Sequence, residues 1–319
     1  MRKFAWILVV SFITGTNLEA QERNDVIKAY NEGAKAVQTD TQVAISSFEK
    51  VITLSDQVGE TANDLKQKAI QILPGLYVKI ANTALKESKP APEIIQAARK
   101  AGVVAEKYGN ASAKENAGKV LVQGYNAMGT DFFTKKDYEN ALLTFDSLLL
   151  INPGYVNAIY NKALIYRAQN NAVAFEETMD LFLGKLEAGK DDERIKQASA
   201  SALEYFRAAG SQANQGEKLD EALALLNKAA KYGADKDLFY YFADVYNKQK
   251  NFDSGAENAQ KGLALETGNA EAKAKFYYQL AVAQAGKGQT AEACASFKNA
   301  LYGPFAAASK AQRTNLKCE

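Results

Sequence analysis

The sequence predicts an all-α protein, an α-solenoid made by stacking antiparallel helix pairs. Composition points there first. The 319 residues are 47% apolar with only five prolines, and roughly one in six is alanine, the best helix former. Apolar residues also recur at helical spacing rather than alternating as in strands. Finally, one pattern returns along the chain at intervals near 34 residues, the mark of a repeat architecture. The composition excludes much chemistry as well. With no histidine, Ser-His-Asp and Cys-His catalysis, HExxH zinc chemistry and Cys/His zinc folds are unavailable. The 39 basic and 37 acidic residues nearly cancel, so no field would hold a nucleic-acid backbone.

The first element is an address. Arg2 and Lys3 precede an apolar run from Phe4 to Ile13 and a polar stretch ending at Ala20. A short basic start, about ten apolar residues and a small final residue form the layout of a secretory signal peptide. The run is shorter than the ~20 residues that span a bilayer. Residues 1–20 are therefore expected to be removed, with cleavage between Ala20 and Gln21. The competing reading is a buried N-terminal helix or an uncleaved anchor. No later segment is long and apolar enough to cross a membrane, so the mature chain is expected to be exported, most simply to a periplasm. Export gives the only two cysteines, Cys294 and Cys318, oxidising surroundings. A disulfide between them would close a loop of about 25 residues, worth about 3 kcal/mol. The alternative is two free thiols, with Cys294 an ordinary small residue in a helix.

Residues 21–121 read as helical pairs of looser pattern. Tyr30, Gly33, Ala44, Phe48 and Val51 suggest one pair around Thr39-Asp40-Thr41. Tyr77, Ile80, Ala81 and Ala84, then Ala97, Ala101 and Val104, suggest a second, its turn widened by Lys89-Pro90-Ala91-Pro92. Generic hairpins packed on a repeat array are the alternative for this third.

Residues 122–304 carry five clearer copies. In the first, Tyr125, Met128, Gly129 and Phe132 share a helical face, Lys135-Lys136-Asp137 turns, and Ala141, Phe145 and Leu148 line a second helix that Asn152-Pro153-Gly154 ends. Small Gly129 and Ala141 let two antiparallel helices approach while the aromatic rings fill the space around them. The next copies are centred on Ile159, Ala163 and Tyr166 with Phe175, Met179 and Phe182, and on Phe206, Gly210 and Ala213 with Ala222, Leu226 and Ala229. The last two are Phe239, Phe242, Ala243 and Tyr246 with Gly255, Ala259 and Gly262, and Tyr277, Leu280 and Ala281 with Ala293, Phe297 and Ala300. Residues 187–192 read as a loop before an elongated helix. Residues 305–319 form a capping helix, which Cys318 would pin to the last repeat.

These faces, aromatic/Leu-Gly/aromatic on the first helix, Ala-x3-Phe on the second and a closing Pro, resemble the tetratricopeptide repeat. The resemblance implies a right-handed superhelix and a concave groove, lined by the first helix of each pair, that holds a segment of another protein. Carried over residue by residue, the inward positions include Asn126, Thr130, Tyr160, Asn161, Arg207, Tyr240, Asp244 and Tyr278. Tyr160, Tyr240 and Tyr278 fall at one register. They serve either as a recognition ladder, burying area at low entropy cost, or as packing between neighbouring first helices. Some such modules grip a carboxylate with several cations; here Arg207 is the only one in the central repeats, which argues against that mode.

No phosphate loop, dinucleotide fingerprint or calcium loop is present, and no cofactor or metal is expected. The function expected is therefore an exported, non-catalytic scaffold or adaptor in a bacterial envelope, with a protein partner in the groove. Its rival is a carrier that binds a small ligand or glycan against the tyrosines.

Overall fold

The structure, a computed structural model, describes residues 13–187 and 189–319, with side chains from residue 21 onward. Residues 1–12 of the expected signal sequence lie outside the described residues. Every regular element among the described residues is helical. The first half contains α1 (Ile13–Ala36) and α2 (Thr41–Val58), α3 (Asn63–Lys86) and α4 (Ala91–Lys107), and α5 (Ala111–Thr134) and α6 (Tyr138–Ile151). Next come α7 (Val156–Ala168) and α8 (Ala172–Leu183), then α9 (Asp192–Gln215) and α10 (Leu219–Tyr232). The chain ends with α11 (Lys236–Lys248) and α12 (Phe252–Leu265), α13 (Ala270–Gly286) and α14 (Thr290–Asn299), and a final α15 (Ala306–Asn315). This is the expected α-solenoid of antiparallel helix pairs.

The chain divides into two compact units, one up to Ile165 and the other from Tyr166, with the division inside α7. The expected boundary after residue 121 falls within α5, which begins at Ala111. α3 runs without interruption through Pro74. Its buried face, including Leu73 and Leu76, outweighs the local cost of a proline in a helix.

Tight turns recur because one backbone device does. Lys136, Glu217 and Lys250 each adopt a positive φ just after a first helix. The next amide then returns to a carbonyl of that helix: Asp137 to Phe132 at 2.9 Å, Lys218 to Ala213 at 3.0 Å, and Asn251 to Tyr246 at 2.9 Å. This left-handed closure satisfies orphan carbonyls at the helix end. Asp137 and Asn251 then start the second helix, their side chains accepting the amides of Asn140 and Ser254, as N-cap residues do. One helix thus stops and the next begins within three residues.

Between the paired helices, a small residue on one meets a large one on the other. A Cβ at Gly129 would come within 2.6 Å of the Phe145 ring, one at Gly210 within 2.8 Å of Leu226, and one at Gly33 within 3.2 Å of Phe48. The same seat therefore occurs in α1–α2, where the sequence pattern is loose, and in the clearer repeats. Phe48, Phe145 and Phe206 are each fully buried. On α13 the fully buried ring is Phe276, whereas Tyr277, the expected core residue, is only half-buried. Phe276 takes the position because it reaches over Gly262 of α12.

At the C-terminus, Cys294 and Cys318 are joined, with Cα atoms 5.6 Å apart. Arg313 adds a second tie, its Nη1 donating to the Cys294 carbonyl at 2.6 Å. Leu316 packs onto Ala281, Ala293 and Phe297. α15 itself buries only Ser309, and a helix of ten residues is marginal alone. A cross-link spanning 24 residues contributes about 3 kcal/mol and is the strongest single attachment of this cap.

Candidate functional site

In the second unit the first helices α9, α11 and α13 lie side by side, and their facing residues make one connected patch. Its centre is Asp244 on α11. The Asp244 carboxylate accepts from Asn214 Nδ2 of α9 at 2.5 Å and from Gln279 Nε2 of α13 at 2.9 Å. Lys248, one turn along α11, reaches both Asp244 at 3.0 Å and the Asn214 amide oxygen at 2.8 Å. Behind it, buried Asn247 donates to the carbonyl and side-chain oxygens of Gln279, each at 2.9 Å. Three consecutive repeats are thus laced by one polar network, whose members other than exposed Lys248 are half-buried or buried. Low local dielectric strengthens such bonds and makes leaving any one unmade costly.

Aromatic rings form the other part of the patch. Tyr240 stands edge-on to Phe276, centroids 6.2 Å apart, and to Phe305 at 6.5 Å. Tyr278 lies 5.7 Å from Phe297 and 5.4 Å from Phe305. Phe305, in the turn before α15, therefore touches both tyrosines. Burial pushes the Tyr240 hydroxyl up to about 12, with the Asp244 charge adding to the effect. Tyr278 is raised from the same two causes in the same order.

The cations of this face are already paired. Arg207 on α9 forms an ion pair with Asp235, the residue that caps α11 by accepting the Leu238 amide. Lys275 on α13 holds Asp237 on α11 at 2.5 Å and lies over the Tyr240 ring. Burial alone would raise the Asp237 carboxyl, yet the bonded Lys275 and nearby Arg207 hold it below the ordinary range.

Of the eight groove positions expected from sequence, the structure brings Arg207, Tyr240, Asp244 and Tyr278 onto this face. Asn126 and Thr130 lie one turn apart on α5, half-buried and exposed respectively. Tyr160 and Asn161 sit half-buried on α7, beside Lys162, which pairs with Asp146 of α6. Several residues of the patch escape the sequence reading: Gln279, Lys248, Lys275, Asp235, Asp237, Phe276, and Phe305 in its contact role. Only Asp235 carried a signal, as an acid just before a helical run. The others depend on which turn of one helix faces which turn of the next.

Each clear copy of the repeat has two antiparallel helices joined by a left-handed turn, and in α5–α6 and α9–α10 a glycine is seated under a large side chain. Successive turns, such as those at Lys136 and Asn170, follow the spacing of the sequence pattern. This arrangement resembles the tetratricopeptide repeat. No protein-family model matches the sequence, and no curated protein matches it. Solved structures that resemble it include MamA, 19% identical, with 62% of this chain and 96% of MamA covered and a TM-score of 0.34. YrrB, described as a tetratricopeptide-repeat protein with an unusual peptide-binding site, is 16% identical, with 59% and 91% covered and a TM-score of 0.36. A tetratricopeptide-repeat protein from Parabacteroides merdae is 16% identical, with 92% and 99% covered and a TM-score of 0.28.

Proposed function

We propose that this tetratricopeptide-repeat chain is a non-catalytic scaffold, exported to the periplasm of a bacterial envelope, that holds another protein against its first-helix faces. One observation carries the reading. On α9, α11 and α13 the polar groups bond to one another, which leaves half-buried tyrosine rings as the groups offered outward. Restrained rings that can bury area with little entropy loss suit protein contact. A sugar carrier would instead need uncommitted donors and acceptors around its aromatic platform; here Asn214, Asp244 and Gln279 already bond one another. No acid or cysteine group able to hold a metal occurs among the described residues, and no helix among them is long and apolar enough to cross a membrane.

The test is affinity capture from envelope extracts with the full chain. The expected result is a partner in stoichiometric amount, weakened more than tenfold by Tyr240→Ala combined with Tyr278→Ala at unchanged helicity. Recovery of no protein, together with a thermal shift induced by a saccharide, would overturn the scaffold in favour of the carrier. Unfolding of the double variant would assign the tyrosines to packing; Tyr240→Phe, which keeps the ring, then separates loss of contact from loss of fold.

A further inference from the structure

We infer that the disulfide gates the tyrosine face: while Cys294 and Cys318 are joined, the chain's own Phe305 covers Tyr240 and Tyr278, and reduction uncovers them for an aromatic side chain of a partner. This rests on reading that face as a contact surface and adds both a ligand type and a control.

Phe305 lies on Tyr278 and Tyr240 from outside the repeats, as the last residue of the Gly303-Pro304-Phe305 turn. It is half-buried, and Leu301 to Pro304 before it are exposed. The turn is held from one side by α13 and from the other by α15, which directly follows it. α15 in turn has few attachments. Ser309 is its one buried residue, Arg313 reaches the Cys294 carbonyl, Leu316 rests on the last repeat, and Cys318 is bonded to Cys294. Breaking that bond removes the strongest of these ties from a short helix that is marginal by itself. The chemistry is thiol–disulfide exchange. A dithiol reductant attacks one sulfur and its second thiol resolves the mixed disulfide. Cys294 and Cys318 become thiols, and the reductant becomes a disulfide. Phe305 also indicates what the uncovered face accepts: an aromatic ring presented from a short proline-containing turn.

The experiment uses the full chain, oxidised or reduced with dithiothreitol and alkylated. Tyrosine acetylation by N-acetylimidazole is read at each residue by mass spectrometry. Reduction is expected to raise labelling of Tyr240 and Tyr278 at least fivefold and to leave Tyr205 and Tyr232 unchanged. Phe305→Ala should give the same increase without reductant. A fluorescent peptide of residues 301–308 should bind the reduced chain at least ten times more tightly than the oxidised one. Equal labelling in both redox states, a parallel rise at Tyr205, or equal peptide binding would each overturn the gate. Those failures would leave the scaffold reading standing, because partner capture is run with both the oxidised and the reduced chain and needs only one of them to bind.

Discussion

Gly118 and Gly129 occupy the same helix, α5, and meet different surroundings. Nothing lies within 4 Å of a Cβ built at Gly118, whereas one at Gly129 would meet the Phe145 ring at 2.6 Å. Gly118→Ala should stabilise the chain by about 0.5–1 kcal/mol through backbone entropy. Gly129→Ala should destabilise it by about 1–3 kcal/mol, since the fully buried ring cannot yield without disturbing its neighbours. Urea midpoints of the two variants test this, and the same sign for both would refute the seat. The tyrosines make a pH prediction. Tyr240 is raised to about 12 by burial, and Tyr77 and Tyr232 are raised as well, chiefly by burial and then by bonds to Glu49 and Asp180. Unfolded tyrosine titrates near 10, so above that pH the unfolded chain loses protons that the folded chain keeps. Their stabilising contribution is therefore complete below about pH 10 and declines as pH rises through the folded values. Chemical denaturation from pH 8 to 12 should show this fall, with a smaller slope in Tyr240→Phe.

Helix pairs and turns follow local rules, and these were the legible part of the molecule. The turn at Gln249-Lys250-Asn251 is not glycine-based, since Lys250 takes φ of 63°. A side chain in this conformation costs about 1–2 kcal/mol, while glycine there gives back part of that gain through the unfolded state. Lys250→Gly is expected to raise stability by about 0.5–1 kcal/mol, read as an increase in Tm, and a decrease would show that Lys250 makes a contact worth more than its strain. Helix positions in residues 122–304 could be read because a two-helix hairpin imposes 3.6-residue periodicity on both partners. The choice of Phe276 over neighbouring Tyr277 for the core could not. Adjacent aromatic residues satisfy the same periodicity, and only the glycine on the opposite helix decides which ring enters. Arg207 is the corresponding case in the candidate site. Its position on the first-helix face was legible, but its pairing with Asp235 requires α9 and α11 to be in register.

For the whole molecule, positive and negative charges nearly cancel and histidine is absent from the sequence. The export reading has a direct test. Removal of residues 1–20 takes away Trp6, the only tryptophan, and Arg2, Lys3 and Glu19, leaving 37 basic against 36 acidic residues. Protein recovered from the periplasm should have an intact mass beginning at Gln21 and emit only tyrosine fluorescence from its 16 tyrosines. A mass beginning at Met1, or recovery only from cytoplasm, would reject export.

The sequence by itself determined the helix pairing, the turns between paired helices in residues 122–304, and the excluded chemistries. Each of these depends on local periodicity, turn-forming residues or composition. Only the tertiary structure decided that Asp244 joins three repeats, that Arg207 and Lys275 are already paired, and that Phe305 covers the two tyrosines. Asp244 is linked to residues 30 or more positions away, Asn214 on one side and Gln279 on the other. Such partners are fixed by the register of one helix against the next, and that register is set by packed side-chain shape rather than by any pattern along the chain.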